Sequence, residues 1–259
     1  MQTERIVNHI TEWLKDYCLT ADTKGFVVGV SGGIDSAVVS ALAARTGLPT
    51  LCLELPIHQS EKQVSRARKH IAFLESKHSH VCSVELELTP VFDQFMKALP
   101  DAETEKSELA MVNTRSRLRM TALYQFATLH GYLVVGTGNK VEDFGVGFFT
   151  KYGDGGVDLS PIADLMKTEV YALGKFLGVH DDIMIAPPTD GLWGDDRSDE
   201  DQIGASYPEL EWAMTFSGSE SELTSRQKEV LAIYRRLNRH NQHKMKPIPV
   251  CLLPDEWKQ

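Results

Sequence analysis

The residues best suited to chemistry form one short run, Ser31-Gly32-Gly33-Ile34-Asp35-Ser36, which directly follows the apolar segment Phe26–Val30. This order predicts a buried strand, a glycine turn and the start of a helix. Such a turn directs unpaired backbone N–H groups and the positive end of a helix dipole at one point, which suits a phosphate. Its two serines add hydroxyl donors. Because a phosphate would repel the Asp35 carboxylate, this residue makes chemical sense as a ligand of Mg²⁺.

The loop differs from two familiar glycine-rich phosphate-binding patterns. It lacks the lysine and the spacing of G-x-x-x-x-G-K-[ST], and it is not G-x-G-x-x-G. The pattern S-G-G-x-D-S instead resembles the PP-loop of the ATP pyrophosphatases, which cleave ATP between its α- and β-phosphates. The plainer alternative is an ordinary strand–helix turn in which Asp35 and Ser36 cap the helix.

A second polar loop, Gly136–Glu142, follows the strand-like segment Tyr132–Val135. We expect the two loops to lie at the same edge of the sheet. Glu142 could then join Asp35 as an oxygen ligand of Mg²⁺, and Thr137 could contact a nucleotide. The alternative is a helix start with a solvated glutamate.

The most unusual stretch is Gly147–Asp158, which reads Gly-Phe-Phe-Thr-Lys-Tyr-Gly-Asp-Gly-Gly-Val-Asp. Its adjacent phenylalanines indicate one ring in the core and one ring that stacks on a ligand. Lys151 and Asp158 flank its glycine turn.

Asn113 and Arg117 lie four residues apart on a long helical segment and share a face, so Arg117 offers a cation for a phosphate. The alternative is a solvated surface arginine.

Apolar segments of strand length alternate with helical segments along the chain. This alternation predicts an α/β fold, a Rossmann-like parallel sheet with helices on both faces. A nucleotide would bind beyond the carboxyl ends of the strands, where the loop at Ser31 falls. The predicted strands are Phe26–Val30, Thr50–Leu55, Val81–Leu88 and Tyr132–Val135. The predicted helices are Thr3–Tyr17, Ser36–Ala44, Glu61–Leu74, Val91–Ala98, Ser107–His130, Leu165–Leu177 and Glu222–Leu237.

Two long segments are predicted to be loops. Gly145–Pro161 is rich in glycine, and Pro187–Gly204 is rich in proline, glycine and aspartate. Loops of this length in a compact domain are often active-site lids, and disordered surface excursions are the alternative.

Composition limits the classes of protein to which the chain can belong. The 259 residues carry a formal net charge of −9 at pH 7, which argues against wholesale binding to nucleic acid or an anionic membrane. The four cysteines have no C-x-x-C spacing, so a zinc site is not predicted. Cys52 and Cys82 lie in apolar runs and are predicted to be buried. No disulfide is required, which fits the cytoplasm, and neither a signal peptide nor a membrane span is predicted.

Five motifs occur in an order that resembles the NAD⁺ synthetases. They are Ser31–Ser36, Asn113 with Arg117, Gly136–Glu142, the Phe-Phe-Thr-Lys-Tyr-Gly-Asp-Gly-Gly run and Pro188–Trp193. The first motif is shared with GMP synthetases, asparagine synthetases and tRNA-modifying enzymes, whereas the fourth is far more specific. The resemblance extends from about Ile6 to Trp257. It implies a single domain over residues 1–259, of the adenine nucleotide alpha-hydrolase-like type, with no glutaminase domain.

The resemblance also implies roles for individual residues. ATP would contact Gly29, Val30, Ser31, Gly32, Gly33, Ile34, Asp35, Ser36, Thr137, Lys167 and Thr189. Deamido-NAD⁺ would contact Arg117, Lys151, Asp158, His243 and Lys244. Mg²⁺ would be held by Asp35 and Glu142, and the catalytic roles would fall to Asp35, Lys167 and Ser36. Met245 stands where the family often has an arginine, so one cation of the dinucleotide site is missing here.

The implied activity is the ATP-dependent amidation of deamido-NAD⁺ by ammonia, with ATP as co-substrate, Mg²⁺ as cofactor and a homodimer as the assembly. An acyl-adenylate would form, and AMP and pyrophosphate would be released. Two rival functions remain open from sequence. One is another PP-loop enzyme, such as a GMP synthetase subunit or a tRNA-modifying ATPase. The other is a nucleotide-binding module without catalysis.

Overall fold

A parallel sheet lies at the centre of the computed structural model, which describes residues 1–100, 104–189 and 198–258. Within those residues it has four strands in the order β3-β2-β1-β4. The strands are β1 (Phe26–Gly29), β2 (Thr50–Glu54), β3 (Val81–Glu85) and β4 (Leu133–Val135). Phe26 pairs with Thr50 of β2 on one side and with Leu133 of β4 on the other. The strand order therefore reverses beside β1, which is where parallel sheets form ligand crevices.

Helices connect and cover these strands. They are α1 (Thr3–Thr20), α2 (Ile34–Arg45), α3 (Glu61–Lys77), α4 (Thr89–Ala98), α5 (Ser107–His130), α6 (Lys167–Leu177), α7 (Asp181–Met184), α8 (Asp199–Ile203), α9 (Tyr207–Thr215) and α10 (Ser225–Met245). A π-helical segment covers Lys140–Val146, and short 3₁₀ turns cover Glu220–Glu222 and Asp255–Trp257. The predicted α/β fold with a parallel sheet is confirmed.

Residues of β1 alternate between the two faces of the sheet, as a strand requires. Phe26 and Val28 pack against α1, α2 and α6, whereas Val27 packs against α4 and α5. Every residue of β2 is buried. Both faces are thus covered by helices, which is the arrangement expected for parallel strands with continuous apolar runs.

A further apolar cluster joins α9 and α10 to the π-helical segment. Its buried members include Val141, Val146, Tyr207, Leu210 and Val230. This packing fixes Lys140–Val146 against the C-terminal helices and so positions the acidic side chains that the segment carries.

Several sequence predictions about elements need correction. The segment Pro187–Gly204 is not wholly a loop, because Asp199–Ile203 forms α8, and residues 190–197 lie outside the described residues. Gly145 belongs to the π-helical segment, so the loop begins after it. Cys52 is buried as predicted, but Cys82 is exposed because β3 is the edge strand of the sheet. Through the described ranges, no helix has the length and apolarity needed to cross a membrane.

Candidate active site

A cavity of about 270 Å³ opens at the carboxyl ends of β1, β2 and β4. The residues predicted to contact ATP or Mg²⁺ line it, with the exception of Gly32: they are Gly29, Val30, Ser31, Gly33, Ile34, Asp35, Ser36, Thr137, Glu142, Lys167 and Thr189. None of the five residues assigned to the dinucleotide is among the lining residues. The fold therefore brings the first set together and leaves the second set outside this cavity.

The glycine loop after β1 takes its shape from its own residues. Gly32 has a φ of +82°, and a Cβ there would lie 2.6 Å from the carbonyl oxygen of Gln63 on α3. The Ser36 hydroxyl donates to the Gly33 carbonyl at 3.0 Å and accepts from the Ser31 N–H at 3.2 Å. Gly33 is the N-cap of α2, and no side chain caps that helix, so the capping alternative for Asp35 and Ser36 is wrong. The helix start faces the cavity, as a phosphate site requires.

A buried ion triad stands beside this loop. The Lys167 ammonium donates to Asp35 Oδ2 at 2.6 Å and to Glu142 Oε1 at 2.8 Å. The lysine side chain is 4% exposed and each carboxylate is 16% exposed. One positive charge thus faces two negative charges, and the triad keeps a net negative charge. The alternative of a solvated Glu142 is wrong.

Polar neighbours hold both carboxylates in place. The Asn139 amide donates to Asp35 Oδ1 at 3.2 Å, and its oxygen accepts from the backbone N–H groups of Val141 and Glu142, each at 3.1 Å. The Tyr207 hydroxyl donates to Glu142 Oε1 at 2.5 Å. Since Tyr207 begins α9, the C-terminal helices take part in the site.

The pKa values of the triad follow from burial and from its charges. Burial raises the pKa of Asp35 and outweighs the opposing effect of Lys167. Burial also acts to raise the pKa of Glu142, but Lys167 and the Tyr207 hydrogen bond bring it below its usual value. Burial acts to lower the pKa of Lys167, and the two carboxylates more than reverse this. The lysine stays charged.

The cavity is also lined by four acidic residues that the sequence reasoning missed: Glu54, Asp143, Asp154 and Asp199. Asp154 accepts from the Ser116 hydroxyl at 2.6 Å and from the Thr150 N–H at 3.0 Å, and burial raises its pKa. Asp143 lies over Gly138, at a position that a Cβ on this glycine would occupy. Burial first, and then the neighbouring carboxylates, raise the pKa of Asp143 to about 8. Asp154 lies within a run that the sequence singles out, and Asp143 directly follows another, but no spacing signalled that they would face the cavity.

Most of the residues assigned to the dinucleotide lie where the glycine-rich loop meets the end of α10. The Lys151 ammonium donates to the His243 carbonyl at 2.6 Å, and the Lys244 ammonium donates to the Phe149 carbonyl at 2.7 Å. The Arg117 guanidinium reaches the Lys151 carbonyl at 3.4 Å. Hydrogen bonds thus link three of these assigned residues directly, and the fourth, Lys244, ties the same two segments together.

Asp158, the remaining residue of that set, has a different environment. Its carboxylate accepts from the Tyr124 hydroxyl at 2.9 Å and from the Val134 N–H of β4 at 2.8 Å. In this structure it supports the sheet edge. Phe148 lines the cavity, whereas Phe149 packs beside Gly155 and the Lys244 ammonium.

The parallel sheet, the Ser-Gly-Gly-Ile-Asp-Ser loop at its switch point and the acidic cavity beyond it define a protein of the PP-loop class. A sequence profile of the family described as NAD synthase matches residues 6–248. The chain belongs to the NAD synthase family.

Individual relatives agree with this membership. The NH(3)-dependent NAD(+) synthetase of Syntrophomonas wolfei is 37% identical over 263 residues, which cover 100% of both chains. The solved structure of the NMN synthetase from Francisella tularensis has a TM-score of 0.84 and 30% identity, and covers 98% of this chain and 99% of its own. The NH3-dependent NAD synthetase from Campylobacter jejuni has a TM-score of 0.77 and 25% identity, with 97% and 100% covered.

Proposed function

We propose that this protein is an ammonia-dependent NAD⁺ synthetase, a ligase that amidates deamido-NAD⁺ and converts ATP to AMP and pyrophosphate. One observation carries the proposal: in a chain of the NAD synthase family, the PP-loop and the Asp35–Lys167–Glu142 triad converge on one cavity. The rival of a module without catalysis does not explain why buried charges are assembled there, since such charges are costly to bury.

The chemistry begins with a poor acyl donor. The nicotinate carboxylate of deamido-NAD⁺ would have to expel oxide, so its oxygen first attacks the α-phosphorus of ATP. The bond from that phosphorus to the bridging oxygen of pyrophosphate breaks, and an acyl-adenylate forms. Ammonia then attacks the carbonyl carbon, AMP leaves, and a proton is lost to give the amide. The protein positions the reactants and stabilises charge.

Individual groups of this chain have defined tasks in that sequence. The N–H groups at the start of α2 hold phosphate oxygens. Lys167 supplies positive charge near the leaving pyrophosphate. The hydroxyls of Ser31 and Ser36, which are hydrogen-bonded to each other at 3.1 Å, keep the loop in the shape that exposes those N–H groups.

The residues present also fit Mg²⁺. Asp35 and Glu142 already hold a cation between them, and their combined negative charge exceeds that of the lysine. Mg²⁺ in nucleotide sites takes one or two carboxylates together with substrate phosphates, so we assign these two residues to it. When bound, Mg²⁺ would offset negative charge on the phosphate oxygens.

The decisive assay measures pyrophosphate release from ATP with deamido-NAD⁺ and Mg²⁺, supplied in turn with ammonium and with glutamine. We expect stoichiometric NAD⁺, AMP and pyrophosphate with ammonium and no product with glutamine alone. Formation of ADP and orthophosphate would overturn the proposal. Xanthosine monophosphate and tRNA in place of the dinucleotide test the rival PP-loop enzymes.

Nicotinate mononucleotide is a second candidate acceptor of ammonia. The Francisella tularensis relative is an NMN synthetase, and the mononucleotide carries the same carboxylate without the adenylyl half. We expect a higher kcat/KM for deamido-NAD⁺ than for the mononucleotide. The opposite ratio would assign the chain to the second activity.

The assembly and the location complete the proposal. A cytoplasmic homodimer follows from the resemblance to NAD⁺ synthetases, and a chain of 28.9 kDa would then sediment at about twice that mass. A single species at the monomer mass under assay conditions would exclude the dimer.

A further inference from the structure

We propose that Arg66 binds the β- and γ-phosphates of ATP and the pyrophosphate that leaves, an inference that rests on the proposed function. Arg66 belongs to α3, lines the cavity and donates from Nε to the carbonyl of Gly32 at 3.2 Å. That contact places its guanidinium at the tip of the glycine loop.

The cavity needs a cation at this point. The loop itself lacks a lysine, and the walls carry six acidic residues: Asp35, Glu54, Glu142, Asp143, Asp154 and Asp199. ATP and pyrophosphate both bring several negative charges into these surroundings. Backbone N–H groups supply only partial charges.

Each of the other two cations of the cavity wall makes at least two polar contacts. Among the described lining residues, the lysines and arginines are Arg66, Arg119 and Lys167. Lys167 is held by two carboxylates, and Arg119 donates to the Leu55 carbonyl at 2.9 Å and to the Gln59 side chain at 2.6 Å.

Arg66 differs from both in what its guanidinium contacts. The bond to Gly32 uses one of the five N–H donors that a guanidinium carries, and the fork of the terminal nitrogens suits bidentate contact with a phosphate. Asp182 is paired with Lys69 at 2.6 Å, which lowers the pKa of its carboxyl, and the charge of Arg66 adds a smaller effect in the same direction. Arg66 is half-buried, which limits screening by solvent.

The position of Arg66 is fixed by the packing of α3 on the loop. Ser60 caps α3 by accepting from the Gln63 N–H, and the Gln63 carbonyl lies against Gly32. Because helix and loop are in van der Waals contact, the guanidinium is preorganised beside the phosphate site.

The test compares Arg66→Ala and Arg66→Gln with Arg68→Ala, measuring the Kd of ATP and of inorganic pyrophosphate by calorimetry. Arg68 is the matched control, since it lies on the same helix, pairs with Glu85 at 2.6 Å and is not among the cavity-lining residues. Gln at position 66 retains an amide donor for the Gly32 carbonyl but has no charge.

We expect both Arg66 variants to raise these Kd values by about 10- to 100-fold and to lower kcat/KM for ATP similarly, with KM for the dinucleotide unchanged. Arg68→Ala should change these Kd and kcat/KM values by less than about twofold, because the charge of this exposed side chain is screened by solvent. If Arg66→Gln bound both ligands with the Kd values of the wild type, Arg66 would only support the loop. This result would overturn the inference about Arg66 but not the proposed function. A wild-type protein that binds neither ligand would overturn the proposed function as well.

Discussion

At the scale of single residues, the electrostatics of the cavity depend on a buried lysine. Moving an ammonium group out of water costs several kcal/mol, and only close opposite charges offset this. Asp35 and Glu142 lie at 2.6 and 2.8 Å from Lys167 and provide that offset. Because there are two of them, one carboxylate can be neutralised while the lysine still keeps a charged partner.

This balance gives the first prediction. Asp35→Asn should lower the turnover of pyrophosphate release by about 10²- to 10³-fold, the loss expected for one preorganised charge-stabilising group. The melting temperature should change little, because Lys167 keeps Glu142 as its partner. Asp164→Asn, which removes an exposed carboxylate paired with Lys140, is the control. Near-normal turnover of Asp35→Asn would contradict the assigned metal role.

The second prediction concerns the hydroxyl that reaches the triad from α9. Tyr207→Phe keeps the buried ring but removes the donor to Glu142, so the free energy of unfolding should fall by roughly 1–3 kcal/mol. Urea titration measures this, with Tyr234→Phe as the control from the same apolar cluster. Equal losses in the two variants would show that the hydroxyl of Tyr207 is not special.

The sequence predicted part of this residue-scale arrangement. The motifs brought Asp35 and Glu142 to one edge of the sheet because loops that follow parallel strands meet there. Tyr207 and Asp143 could not be found in that way. The contribution of Tyr207 depends on burial, which arises from the packing of α9 and α10 on the π-helical segment.

At the scale of elements, the contact between the glycine loop and α3 determines the shape of that loop, which is the proposed phosphate site. Gly32→Ala should be clearly more destabilising than Gly47→Ala, although both glycines have a positive φ. Backbone strain of about 1–2 kcal/mol is common to both changes. A Cβ at Gly32 also lies 2.6 Å from the Gln63 carbonyl, whereas a Cβ at Gly47 meets nothing within 4 Å. Chemical unfolding compares them, and equal losses would show that the contact is loose.

A buried histidine makes the packing of α2 on α3 sensitive to acid. His70 is 1% exposed, lies 3.0 Å from the Ser40 hydroxyl, and burial lowers its pKa to about 4. In the unfolded chain, His70 therefore takes up a proton near pH 6.5, whereas in the folded chain it does so only near pH 4. The contribution of neutral His70 to the free energy of unfolding is fully present above pH 6.5. Below this pH, the free energy of unfolding should fall by up to about 1.4 kcal/mol per pH unit.

The measurement for this prediction is the free energy of unfolding from pH 8 to pH 4. His70→Gln should remove the extra slope below pH 6.5 and run parallel to the wild type above it. His130→Gln, an exposed position, should keep the slope of the wild type. An unchanged slope in His70→Gln would assign the acid sensitivity to other groups.

The sequence was a good guide to some elements and a poor guide to others. Continuous apolar runs revealed β1 and β2, since parallel strands buried on both faces carry no polar alternation. Cys82 was misjudged because the run cannot tell an edge strand from a central one. The short helices α7 and α8 and the nine-residue α9 offered too few turns for a periodic signal.

At the scale of the whole molecule, the sheet and the C-terminal helices form different parts of the cavity. The sheet supplies the loops after β1 and β4, and their meeting at one edge follows from topology alone. The packing of α9 and α10 supplies the enclosure of Glu142. Sequence patterns show that a helix has an apolar face but not which partner that face covers, so this second contribution was not predictable.

The final prediction comes from the two hydrogen bonds that lysine side chains make between the glycine-rich loop and α10. A chain that ends after Gln242 lacks both of them, and one that ends after Lys246 retains them. We expect the shorter chain to be cleaved by trypsin within Gly147–Asp158 and the longer chain to resist. Equal cleavage would show that the ties do not order the loop.

These two ties join residues 92 and 95 positions apart. During synthesis, the loop therefore cannot make either contact until residues 243 and 244 have left the ribosome. A nascent chain stalled before His243 would already contain the glycine loop and the ion triad, yet the proposed binding face for the dinucleotide would be unfinished. The proposed dinucleotide face is thus completed later than the ion triad.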